Sequence, residues 1–200
     1  MFIAGALFKE EDIDKLKELG VKDSKLLLHK KRVELCKKIK KIAVKYKVIE
    51  VKPKEIDEAV LSEDHMNLNW LEAHKTADLI NVLKPDKAII DCPSPNINKY
   101  KGYLRELLKN KDIELIVEHK ADVNFLVVSA SSILAKCDRE KEVEKLKKKY
   151  GDIGPGYPSN EITQKFLKEN LEKYPEIFRH SWMPVKEHKT EKIQKKLGDF

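Results

Sequence analysis

Cysteine is scarce and scattered. Cys36, Cys92 and Cys137 are the only three in 200 residues, form no Cys-x-x-Cys pair and match no zinc-ligand spacing. That excludes a disulfide scaffold and a cysteine-built metal centre. The expectation is reduced thiols, two of them buried, in a cytoplasmic protein. No run of about 18 apolar residues occurs, so no membrane-spanning helix is expected. Met1 to Leu7 is apolar, but Lys9, Glu10, Glu11 and Asp12 follow at once, and the segment does not read as a secretory signal. With only 7 glycines and 8 prolines, the chain carries no internal repeat and no low-complexity tract.

What is present points to a folded, soluble protein. Hydrophobic residues reach 41%, too many for a disordered chain. At roughly 150 residues per domain, the length allows one domain with a small appendage. Lys and Arg number 41 against 34 Asp and Glu, a balance of +7. A basic surface favours polyanions such as nucleic acid. A lysine-rich proteome would produce the same balance, so composition alone leaves both readings open.

Strand-like and helical patterns alternate along the chain. Phe2–Phe8 reads as a strand, and Ile13, Leu16 and Leu19 as a helix stopped by Gly20. Val48–Val51, Lys87–Asp91 and Ile113–Val117 read as further strands, with helices between them and a long helix over about 128–149. Asn160 reads as the cap of a later helix. Such alternation predicts an α/β layered fold. The stretch from Pro184 onward is polar and basic, and the C-terminal ~15 residues read as a weakly attached, helical appendage.

Asp91 falls at the carboxyl end of a strand, where α/β folds place ligands. Asp122 falls after the next strand and before a helix. If those strands are neighbours, the two carboxylates converge, and a divalent cation such as Mg²⁺ or Mn²⁺ would relieve their repulsion. Either residue alone could equally be a helix or loop cap. Ser129, Ser132, Lys136 and Arg139 follow at spacings of three, four and three, on one helical face. Hydroxyls and cations there suit a phosphodiester backbone; small serines also simply permit close helix packing. Gly154-Pro155-Gly156-Tyr157-Pro158-Ser159 presents a tyrosine between residues that restrict its direction, suited to stacking on a sugar or base, or to a tight turn with a half-buried ring. Arg179, His180 and Trp182 add a further group of side chains compatible with nucleic acid.

Glu118–Asp122, Val127–Lys136 and Gly154–Ser159 resemble the signatures of ribonuclease HII, and Lys22–Lys25, Asn67–Asn69 and Arg179–Trp182 extend the match. The resemblance is strongest to the archaeal branch and runs from about Val21 to Trp182. It implies a ribonuclease H-like fold with a mixed sheet. It also implies hydrolysis on the 5′ side of ribonucleotides in RNA–DNA hybrids and duplex DNA, leaving a 3′-hydroxyl, with Mn²⁺ or Mg²⁺ as cofactor. Asp91 and Asp122 match two of the family's metal-binding carboxylates, and Tyr157 matches its junction-reading tyrosine. Gly156, Ser129, Ser132, Lys136, Arg139, Lys22 and Ser24 are the accompanying substrate-binding candidates. The implied organisation is a catalytic domain over 1–150, a substrate-loop and helical part over 151–183, and a basic tail over 184–200, in a monomeric protein.

Family members carry Asp-Glu-Ala-Gly-Arg-Gly on a first strand, which supplies two more of the four carboxylates. No such segment stands in this chain, and Phe2–Phe8 resembles the second strand. The expectation is a chain start placed late, with a central strand missing and apolar sheet edge exposed. A non-catalytic hybrid-binding relative and a metal-dependent phosphohydrolase of small molecules are the competing readings. Gln194, Leu197 and Phe200 spell Gln-x-x-Leu-x-x-Phe, which resembles the peptide that docks on replication sliding clamps. A frayed amphipathic tail packing on its own domain is the alternative.

Overall fold

The computed structural model describes residues 1–21, 28–61 and 66–198, with 191–198 described by their backbone. The chain divides into two compact units, one made of Phe2–Glu50 with Asn69–Asp138, the other of Val51–Leu68 with Arg139–Phe200 and Met1.

The first unit holds all four strands found among the described residues. β1 (Phe2–Leu7) pairs antiparallel with β2 (Lys45–Glu50), with Phe2 opposite Glu50 and Leu7 opposite Lys45. α1 (Ile13–Glu18) and α2 (His29–Ile42) lie between them in sequence. After α4 (Leu68–Leu83), β3 (Lys87–Asp91) pairs parallel with β4 (Glu114–Glu118), so that Asp91 stands opposite Glu118. A parallel pair needs a crossover, and α5 (Ile97–Leu107) provides it. Pro93 and Pro95 keep the β3–α5 loop out of the ladder, and the Asn96 side chain accepts the Lys99 amide at 2.9 Å to cap α5.

Both strand orientations of the expected mixed arrangement are therefore present, but as two separate two-stranded sheets. β1 and β3 do not hydrogen-bond to each other; they line opposite parts of one cleft instead.

Periodicity explains what each element buries. Ala88 and Ile90 alternate with Lys87 and Asp91, and Leu115 and Val117 repeat the pattern on β4. With Ala73 and Ala77 of α4 and Tyr100 and Leu104 of α5, they form one core. Burial pushes the Tyr100 phenol up to about 12. A second core joins Leu16, Leu35, Cys36 and Ile39 to Ala130, Ile133, Leu134 and Cys137. Those last four recur at helical spacing on α7 (Leu126–Tyr150), as the sequence pattern predicts. All three cysteines are buried thiols, one more than expected. Gly20, with φ +66°, ends α1 in the left-handed region, and the Val21 amide reaches back to the Leu16 carbonyl at 3.2 Å.

The boundary between the units falls within α7, after Asp138. The second unit packs Ile153, Phe166, Leu167, Leu171, Phe178 and Val185 into its own core. It comprises α3 (Pro53–Leu61), the end of α7, α8 (Glu161–Asn170) and α9 (Met183–Gly198). Asn160 caps α8 as its sequence context predicts, accepting the Thr163 amide at 3.2 Å. Val185, early in α9, is fully buried, and the backbone is helical to Gly198. One buried apolar residue near the start of a segment is enough to anchor it, and a polar composition does not reveal that anchor.

Candidate metal centre and nucleic-acid surface

In the first unit, a cleft of about 760 Å³ runs between β1 and β3. Every residue of both strands contributes to its lining, together with Asp122 and the start of α7. Asp91 ends β3 and is solvent-exposed; Asp122 is buried. The turn that brings them together is built by Lys120. Its φ of 57° places it in the left-handed region and redirects the chain from β4 into the short helix α6 (Ala121–Asn124). The Ala121 amide then donates to Asp91 Oδ1 at 3.1 Å, while Asp122, the next residue, lines the same cleft. The sequence separation of one strand–helix–strand unit thus brings the two carboxylates to one cleft. Among the described residues, no group of three or more His, Cys, Asp or Glu converges to hold a metal ion.

The residues of the helical face after Asp122 differ in burial and in what they line. Ser132 lines the cleft beside the carboxylates, as does Ser131, whose hydroxyl donates to the Val127 carbonyl at 3.0 Å. Ser129 is buried, and its Oγ makes no hydrogen bond among the described residues. Lys136 is half-buried one turn further along. The sequence reading overlooks Ser131. The signal was available, since Val127 or Val128, Ser131 and Ala135 recur at spacings of three or four and all line the cleft.

In the second unit, Arg139 binds the loop that carries Tyr157. Its Nη2 donates to the Pro155 carbonyl at 2.7 Å and the Gly156 carbonyl at 3.3 Å. Its guanidinium lies over the Tyr157 ring, 3.9 Å from the centroid. Gly154 and Gly156 both have positive φ, +65° and +73°. A Cβ on Gly154 would stand 2.7 Å from Thr163 Oγ1, a second reason for glycine there. Thr163 Oγ1 also accepts the Gly156 amide and donates to the Ile153 carbonyl, both at 3.0 Å. Tyr157 itself remains about half exposed, at 49%.

The Arg179–Trp182 segment is held by a residue absent from the sequence reading. Asp57 of α3 accepts the His180 amide through Oδ2 and the Ser181 amide through Oδ1, each at 2.7 Å. Burial works to raise the Asp57 pKa, but hydrogen bonds from the Ser181 side chain and from the Ser181 and His180 amides outweigh it, holding the carboxyl below its usual range. No local pattern links residues more than 120 positions apart. Lys22 and Ser24 lie outside the described residues, as does Phe200, whereas Gln194 and Leu197 fall within α9.

The mixed α/β architecture, with its parallel and antiparallel strand pairs among helices, is that of the ribonuclease H-like proteins. The chain superposes on the crystal structure of ribonuclease H2 from Pyrococcus horikoshii OT3 with a TM-score of 0.83 and 35% identity, covering 96% of this chain and 98% of that one. The chain belongs to the ribonuclease HII family: the family model described as Ribonuclease HII matches residues 1–185. Ribonuclease HII of Thermococcus sibiricus is 40% identical over 200 residues, covering 98% of this chain and 86% of the relative. The structure of the PCNA:RNase HII complex from Archaeoglobus fulgidus matches with a TM-score of 0.74 and 36% identity, over 84% of this chain and 77% of that one. Members of this family are endoribonucleases that hydrolyse RNA in RNA–DNA hybrids.

Proposed function

We propose that this protein hydrolyses the phosphodiester on the 5′ side of ribonucleotides, in hybrids and in duplex DNA, by two-metal chemistry. The observation that carries the reading is the convergence of Asp91 and Asp122 on one cleft. Both donors are carboxylate oxygens, which suits Mn²⁺ or Mg²⁺ better than softer metals. When bound, such ions activate water and stabilise the leaving oxygen.

The chain's own residues do the rest. The Ala121 amide holds one Asp91 oxygen and so orients the other. Burial restricts the Asp122 rotamers. Ser132 and Lys136 take phosphate oxygens of the strand being cut. Tyr157 stacks on the sugar at the ribonucleotide junction.

Two carboxylates suffice for one ion, bound weakly, and a second ion needs more. The cleft between β1 and β3 is lined along the full length of both strands. A strand seated there and bearing Asp-Glu would complete the centre. The test compares the 200-residue chain with a version extended by an Asp-Glu-Ala-Gly-Arg-Gly strand, on duplex DNA carrying one ribonucleotide. The extended protein should cut with Mn²⁺ or Mg²⁺ and leave a 3′-hydroxyl, while the shorter chain should cut poorly. Full activity of the shorter chain would overturn the four-carboxylate account, and inactivity of both would favour a hybrid-binding relative without catalysis.

A sliding clamp is the proposed protein partner. The support is the Gln194, Leu197 and Phe200 pattern and the related protein solved with PCNA. The neighbouring lysines Lys189, Lys192, Lys195 and Lys196 would steer the segment toward an acidic clamp surface.

A further inference from the structure

The sequence pattern assigns Arg139 to phosphate binding, whereas its Nη2 and the plane of its guanidinium meet the loop that carries Tyr157. Its guanidinium donates to the two carbonyls that immediately precede Tyr157 and covers one face of the Tyr157 ring. A guanidinium stacked on a ring holds it by the ring's quadrupole as well as by contact. The same loop is tied from the other side by Thr163, which bonds both Gly156 and Ile153. A Cβ on Gly156 would stand 3.5 Å from Arg139 Nη2, so the backbone and the arginine are already in close register. The tyrosine therefore stands on a built pedestal. The guanidinium lies over the ring, and the residue as a whole stays half exposed.

We propose that Arg139 is a positioning residue for ribonucleotide recognition. It fixes the direction in which Tyr157 meets the sugar, and does so through the ring and loop rather than by binding phosphate. This rests on the reading that Tyr157 recognises the junction. Lysine cannot reproduce the function fully, because its ammonium is a compact point charge without the planar, delocalised surface that a guanidinium presents to a ring while it bonds the loop carbonyls.

The test measures binding, so it needs no loaded metal centre. The full chain is titrated by fluorescence anisotropy against duplex DNA with one ribonucleotide and against the same duplex without it, across a salt series. The readouts are the ratio of the two affinities and the slope of log K against log salt. Arg139→Gln should lower the ratio by about two- to fivefold, the scale of one stacked cation, and Arg139→Lys by less. Neither should change the salt slope. In a Tyr157→Ala background, Arg139→Gln should lower the ratio no further. A slope reduced by about 0.9 with the ratio unchanged would show direct phosphate contact and overturn the proposal. So would a full additional loss in the Tyr157→Ala background. If Tyr157→Ala leaves the wild-type ratio intact, or the wild type shows no preference, the junction reading falls and the positioning role falls with it. If Tyr157→Ala lowers the ratio and neither Arg139 variant does, the positioning role alone is overturned. Should Arg139→Gln fail to fold, Arg139→Lys with and without Tyr157→Ala gives the same discrimination.

Discussion

Asp91 accepts the Ala121 amide through Oδ1 at 3.1 Å, one residue before Asp122. This bond ties the end of one strand to the turn after its parallel neighbour. Asparagine at position 91 keeps an oxygen that can accept the same bond while losing the negative charge. In a catalytically competent, N-terminally extended protein, Asp91→Asn should lower kcat by at least ~100-fold, equivalent to about 2.7 kcal/mol of transition-state stabilisation. Hybrid affinity should hold. Asp122→Asn should behave alike. Steady-state cleavage with parallel binding titrations checks this, and a wild-type rate from Asp91→Asn would remove it from the metal centre.

Lys136 follows Ser132 by four residues on α7, the spacing that keeps both on one face. If it neutralises one phosphate, Lys136→Ala should weaken binding to every duplex alike and reduce the salt slope by about 0.9. The ratio between ribonucleotide-containing and plain duplexes should stay constant. A changed ratio with a constant slope would give Lys136 a different task.

The Asp57 carboxyl links α3 to the His180 and Ser181 amides, and those bonds hold its pKa below the usual range. A depressed carboxylate contributes stability above its unfolded pKa of about 3.9, and that contribution fades as the pH falls through the lower folded value. Asp57→Asn keeps one acceptor and places an amide group against the other N–H. It should cost about 1 kcal/mol at neutral pH. The gap between wild type and variant should be constant down to about pH 5 and shrink below pH 4. Thermal melts across that range would reveal a flat difference if the carboxylate charge is irrelevant.

Calorimetry of a Lys189–Phe200 peptide with the cognate clamp tests the partner. Binding in the micromolar range is expected. A peptide with Leu197→Ala and Phe200→Ala should lose it, because the apolar pair fills the pocket that anchors such a segment. Equal heat from both peptides would leave only nonspecific attraction between lysines and an acidic surface.

Local pattern was legible wherever one element decides the outcome. Ala130, Ile133, Leu134 and Cys137 bury as their spacing requires, and Asn160 caps α8. Gly20 ends α1 for the same kind of reason. Asp91 and Asp122 were legible as candidates because each abuts a strand end. The Lys120 turn that joins them was not legible, since a left-handed lysine leaves no mark in residue type.

Charge type and helical spacing are one-dimensional properties, and they suffice for the α/β alternation, the family motifs and the choice of the two carboxylates. The tertiary structure decided what each side chain spends its bonding capacity on. Arg139 sits in the same helical row as Ser132 and Lys136, yet two carbonyls and a ring 16 to 18 residues away claim its guanidinium. Asp57 carries no local signature, but two amides more than 120 residues away converge on it. The separation of the two sheets by an open cleft depends on which edges find hydrogen-bonding partners. Hydrogen bonds and stacking act over ångströms in space, and sequence spacing specifies that distance only within a single helix or strand.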